Sequence, residues 1–104
     1  RHNTLKRQSK MATPAEMFSA LVQGNPLPAG YWRVAHDEKG RSLLHVAAAY
    51  GRLDSLWMLL ETCPILAATP DYDMLLPEDM AANKDAQLLC KQIRIKYFLQ
   101  HTAL

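Results

Sequence analysis

The sequence is short of the residues that announce chemistry or a special compartment. It holds 2 cysteines in 104 residues, Cys63 and Cys90, too far apart for a CxxC pair and too few for a disulfide scaffold. They read as two reduced, partly buried thiols, and no histidine is placed in the sequence to activate Cys63. No HExxH, GxSxG or glycine-rich phosphate loop occurs. The acids Asp71, Asp73, Glu78 and Asp79 lack the spacing and the glycine of an EF-hand, and a solvated turn followed by a helix start accounts for them. No metal and no cofactor is expected. No apolar run approaches the roughly 18 residues of a membrane span, and no charged start, apolar middle and cleavage site follow one another as in a signal peptide. The expected location is cytoplasmic.

At 104 residues and 49% hydrophobic content, the chain suits one compact domain or a short stack with a modest core. The formal charge of +2 hides an asymmetry: residues 1–10 hold Arg1, Lys6, Arg7 and Lys10 with no acid, and the rest carries 8 bases against 10 acids. A basic arm over residues 1–12, or a short first helix carrying Leu5, precedes a mildly acidic body. Such an arm can meet nucleic acid, an anionic membrane or an acidic protein. A solvated tail is the better reading, because no aromatics are interleaved for base stacking, and nucleic acid is disfavoured as a partner.

The chain is organised around the stretch Asp37 to Glu61. Gly40 sits where a tight turn can need positive φ, and Ser42 can cap a helix by accepting a backbone N–H bond. Leu44, Ala47 and Ala48 follow at helical spacing, and Gly51 stands where a helix commonly ends in the left-handed conformation. A second helix opens with Asp54 in its first turn, presents Leu56, Leu59 and Leu60 on one face, and ends at Pro64. Small alanines on one helix and bulky leucines on the other allow two short antiparallel helices to lie close.

Gly40, Ser42, Leu44, His45, Ala47, Ala48, Gly51, Leu53, Leu56, Leu59 and Leu60 stand where the ankyrin repeat has its recurring G, T, L, H, A, A, G, L, V, L and L, and the stretch resembles that family. The departures are Leu43 where the family usually has Pro, and Trp57 where it usually has a solvated polar residue. Leu27 to Ala48 is also similar to segments of bacterial ankyrin proteins, where an LP, an aromatic pair and a Gly turn precede the HxAA helix.

The flanks follow the same frame. Thr13, Pro14 and Glu16 make a helix start, with a capping box and Pro at the first helical position. Met17, Phe18, Ala20 and Leu21 supply its buried face, and Gly24 with Asn25 ends it. Met17–Gly24 overlays Leu44–Gly51 with a shift of 27, as an earlier, diverged repeat. Its second helix is confined to Tyr31–Ala35, with Tyr31 and Trp32 covering the edge of the core. Ile65–Pro70 forms a crossing segment. A shift of 34 then places Asp71 on Asp37, Asp79 on His45 and Ala81–Ala82 on Ala47–Ala48, while Met74 replaces the turn Gly and leaves the shape of this tip open. Asp85–Gln100 forms the last helix, with Leu88, Leu89, Ile93 and Tyr97 inward and Lys91, Arg94, Lys96 and Gln100 mostly outward, as suits an end cap. Phe98 and Leu99 are apolar exceptions that could pack on further sequence.

The expected architecture is all-α: an ankyrin-repeat solenoid over residues 13–100, in units of about 13–36, 37–70 and 71–100, with a tail at 101–104. About three repeats is the minimum for a stable stack, so the chain reads as a complete small array, or as the excised end of a longer one. The resemblance implies that His45 is structural, its imidazole tying adjacent turns together, and that function is recognition by a rigid concave face, with no enzymatic activity. On that face the candidate tip residues are His36, Glu38, Lys39, Arg41, Tyr72, Asp73 and Met74. The inner-helix candidates are Gln23, Ala49, Tyr50, Asn83 and Lys84, and Tyr50 and Tyr72 are the expected anchors. Trp57 marks a second surface, for a homo-oligomer or a neighbouring domain, unless the arm folds back over it with Leu5. The expected partner is a protein of unknown identity. An alternative is a targeting domain excised from a larger protein such as a bacterial effector delivered into a host cell.

Overall fold

A computed structural model describes residues 11–102, and among them the chain is all-α. Five α-helices follow one another: α1 Pro14–Gln23, α2 Leu43–Ala49, α3 Leu53–Thr62, α4 Pro77–Met80 and α5 Lys84–Thr102; a 3-10 helix, Pro64–Ala68, lies between α3 and α4. Among the described residues the only ladder-type pairing is an isolated antiparallel bridge between His36 and Ser42. No helix among them is long and apolar enough to cross a membrane.

Local chemistry sets these limits. Thr13 Oγ1 accepts from the Glu16 N–H at 3.2 Å while the Thr13 N–H donates to Glu16 Oε1 at 2.8 Å, a reciprocal cap that satisfies two otherwise orphaned donors of α1. Ser42 caps α2 in the same way, with His45 in the place of the acid. Both helices run into a left-handed glycine, Gly24 at φ 79° and Gly51 at φ 65°. The Arg52 N–H then reaches back to the Ala47 carbonyl at 2.9 Å, and the short connection returns the chain as α3 packed on α2. Pro64 begins the 3-10 turn one residue after Cys63, the residue that follows α3.

The core is built around α2. Every residue from Ser42 to Ala48 is buried, because α2 packs against α1, α3, α4 and α5. A helix that is apolar all round needs neighbours all round. Met17 and Leu21 join this core from α1, Leu56, Leu59 and Leu60 from α3, Leu66 and Ala67 from the 3-10 helix, and Ala86 and Cys90 from α5. Each fully buried leucine contributes about 2 kcal/mol relative to exposure.

Two tips project from this body with the same wiring. Asp37 Oδ1 accepts the N–H groups of Lys39 and Arg41, both at 2.9 Å, and Asp71 Oδ1 accepts those of Asp73 and Leu75, both at 2.9 Å. The Asp37 N–H bonds the Arg41 carbonyl and the Asp71 N–H bonds the Leu75 carbonyl. Gly40 at φ 75° and Met74 at φ 65° hold the matching left-handed position, so the tip whose shape the sequence left open adopts the form of the first.

Elsewhere the chain departs from its sequence reading. The short helix expected at Tyr31–Ala35 is absent: residues 32–34 make a turn, held by Trp32 Nε1–H donating to the Pro28 carbonyl at 2.8 Å. Trp32 packs against the core, but Tyr31 is 69% exposed and covers nothing there. On α5, Leu88 points outward at 50% exposure, and the inward stripe is Ala86, Leu89, Cys90, Ile93 and Tyr97. Arg94 is not a solvated outer residue, because its guanidinium pairs with the Glu78 carboxylate. The outer face of α5 is therefore less polar than an end cap, with Ile95, Phe98 and Leu99 exposed. His101 and Thr102 continue α5, so the helix runs into the segment expected as a tail at 101–104. Of the basic arm expected over residues 1–12, residues 1–10, Leu5 included, lie outside the described residues, while Ala12 packs against the core and its N–H bonds the Ala29 carbonyl at 2.9 Å.

Candidate interaction surface

A groove of about 480 Å³ opens between α1, the first tip and the end of α2. Its floor is apolar for a reason of spacing. Ala15, Phe18 and Val22 recur at i, i+3 and i+7 on α1, and Val46, Ala49 and Tyr50 at i, i+3 and i+4 along and just past α2, so each short helix brings a second apolar stripe to the groove, with Phe18 and Val46 reaching it from the edge of the core. Met80, the last residue of α4, adds to the apolar floor, and His36, Asp37 and Arg41 form the polar wall. Arg41 Nε holds Asp37 Oδ2 at 2.9 Å, so that wall carries a compensated pair. Burial alone would raise the Asp37 pKa, but the N–H groups of Arg41 and Lys39 and the Arg41 guanidinium together hold its carboxyl below the usual range.

Tyr50 is the groove's largest exposed side chain, and Arg52 fixes it. The guanidinium carbon lies 5.7 Å from the Tyr50 ring centroid, while Arg52 Nε–H donates to the Leu21 carbonyl and Nη2–H to the Val22 carbonyl, both at 2.7 Å. One arginine thus satisfies the end of α1 and braces the aromatic on the opposite wall.

The pair His45 and Ser42 has the composition of a nucleophile and base but not the access. Both are buried, and Nε2–H of His45 donates to the Leu75 carbonyl at 2.7 Å, where a catalytic base would need an orienting carboxylate and a substrate. His45 Nδ1 accepts from the Ser42 N–H at 3.1 Å and its hydroxyl at 2.9 Å. That network requires neutral imidazole, and burial lowers the His45 pKa even though the Leu75 carbonyl opposes it. Both thiols are buried, and burial pushes Cys90 up to about 11. Among the described residues no three His, Cys, Asp or Glu side chains are placed to hold a metal ion. Of the acids Asp71, Asp73, Glu78 and Asp79, three are engaged: Asp71 by two N–H groups, Asp79 by the Leu76 N–H at 2.8 Å and Glu78 by Arg94.

Of the residues singled out in the sequence, His36, Arg41, Ala49 and Tyr50 come together in the groove. Glu38 and Lys39 are exposed on the first tip; Tyr72, Asp73 and Met74 are exposed on the second. The Tyr72 ring lies over Gly40, and its N–H donates to the Lys39 carbonyl at 3.0 Å. Asn83 serves α5, its Oδ1 accepting the Ala86 N–H at 2.9 Å, and Lys84 is exposed at the same helix start. Gln23 stands outside the groove, bonded to Ser19. Trp57, 50% exposed, borders a separate hollow of about 280 Å³ with Leu60, Pro64, Ile93 and Tyr97. That Phe18, Val22, Val46 and Met80 line the groove, and that Arg52 braces it, was not foreseen. The spacing of Phe18 and Val22 carried the signal, since Met17 and Leu21 already fill the inward stripe of α1.

Set beside known proteins, the chain matches no family model, no curated protein and no solved structure.

Proposed function

We propose that this chain is a non-catalytic protein-binding module, a small ankyrin-type stack that presents the groove between α1, α2 and the first tip to a partner protein. The observation that carries this reading is the groove itself: an apolar floor from three helices, a charge-compensated wall, and a half-exposed tyrosine held by Arg52. Such a surface offers desolvation of apolar side chains at little ordering cost, which favours a rigid binding mode. The repeated wiring of the two tips at a shift of 34 residues, and the His45 bond from one unit to the next, support the repeat reading. The missing second helix of the first unit and the four residues of α4 mark it as a diverged one.

The test is affinity capture with the intact chain, a groove variant (Val22→Ser with Tyr50→Ser) and a Trp57→Ser variant, once thermal melts show all three folded. A protein retained by the intact chain and by Trp57→Ser, and lost from the groove variant, supports the reading. Retention by the groove variant and loss from Trp57→Ser overturns it in favour of the hollow beside α3.

A further inference from the structure

We propose that the outward stripe of α5 is a second docking surface, shaped and charged for an acidic amphipathic helix of a partner protein. It shares no residue with the groove. The core fixes which side of α5 faces in, through Ala86, Leu89, Cys90 and Ile93. Leu88, Ile95 and Leu99 fall on the opposite side at i, i+7 and i+11, and they are 50%, 41% and 59% exposed. This line of three large apolar side chains runs about 16 Å along the helix.

Charge selects the occupant. Lys84, Lys91 and Lys96 flank the line and are exposed, and the one acid of α5 among the described residues is Asp85. Of the acids on neighbouring elements, Glu78 is spent on Arg94, Asp79 acts on the same arginine, and Glu61 lines the hollow beside Lys96, which leaves Lys84 and Lys91 as the cations farthest from a neighbouring carboxylate. A second copy of this chain would set the same lysines against one another. A helix with leucines at i, i+4, i+7 and i+11 and glutamates beside them meets both features, since the lysine stems cover apolar surface while their ammonium groups reach the carboxylates.

The test uses a fluorescent synthetic helix of about five turns with that leucine stripe and glutamate flanks, titrated with the full chain and followed by anisotropy. Binding is expected, weakened about tenfold or more by Ile95→Glu with Leu99→Glu, and weakened again when salt rises from about 0.05 to about 0.5 M. It should be unchanged by Val22→Ser with Tyr50→Ser, so its outcome is independent of the groove. Equal affinity for the same peptide with lysine flanks would overturn the charge argument. A failure of the glutamate peptide to bind would overturn the proposal, and two companion results would reassign the stripe. Self-association in sedimentation that Ile95→Glu abolishes gives it to a second copy, and tighter peptide binding by Leu5→Ser gives it to the N-terminal residues.

Discussion

The two tips share a backbone and differ in what lies over them. Each closes on an aspartate that accepts two N–H groups, and each needs one residue at positive φ. In the first that residue is Gly40, and a Cβ there would run into the Tyr72 ring. In the second it is Met74, 74% exposed. The left-handed conformation is thus tolerated by a long side chain when the aspartate holds the turn and space is free. Close approach by Tyr72, added to φ, is what demands glycine in the first.

Breaking the link between the tips should cost most. His45→Ala leaves Ser42 and the Leu75 carbonyl without their partner in a buried place, and thermal or urea unfolding should show a loss of about 3–4 kcal/mol. The same variant removes a pH limb. His45 has an ordinary value of 6.5 in the unfolded chain and a lower one when folded, so between the two the unfolded state binds more protons. Stability should be full above about pH 6.5 and fall on acidification by at most about 1.4 kcal/mol per unit, and the alanine chain should lack that slope.

Removing the aspartates tests whether they hold the turns equally. Asp71 is 5% exposed, and Asp71→Ala should cost about 2–3 kcal/mol by chemical denaturation. Asp37 is more accessible, water can replace it, and Asp37→Ala should cost about 1–2 kcal/mol. Equal losses would show that burial does not distinguish the tips.

Gly40→Ala should cost about 1–2 kcal/mol, part from φ and part from displacing the ring. In a Tyr72→Ala background only the φ part should remain, and a double-mutant cycle measures the difference. The smallest effect is expected at Met74→Gly, a gain of up to about 0.5–1 kcal/mol as left-handed strain is relieved against the greater freedom of unfolded glycine. A loss there would mean that the Met74 side chain makes a contact that matters more than its backbone strain.

The central helices were legible because everything that sets them is local: Ser42 and His45 three residues apart, Gly51 at the end, and three leucines on one face of α3. The segment after α1 was not. Pro26, Pro28 and Gly30 announced turns, but what replaces the expected helix depends on the Ala12 N–H bonding the Ala29 carbonyl at 2.9 Å and on the Trp32–Pro28 bond. Half of the groove was legible by position on the tip and at the end of α2. Phe18 and Val22 were hidden because a short helix with two apolar stripes reads as core on both, and Arg52 because its acceptors lie 30 and 31 residues away.

The encirclement of α2 has a consequence for how the described helices come apart. Long repeat stacks fray from their ends, because each unit leans only on its neighbours. Here every other α-helix touches the same seven-residue segment, so peeling away α1 or α5 wets the helix that all the others share. Partial opening is expected to cost more than in an open stack, so the described helices should gain or lose their order together. A ligand seated against α1 therefore also protects α5, by mass action alone and without any change of shape passing between them.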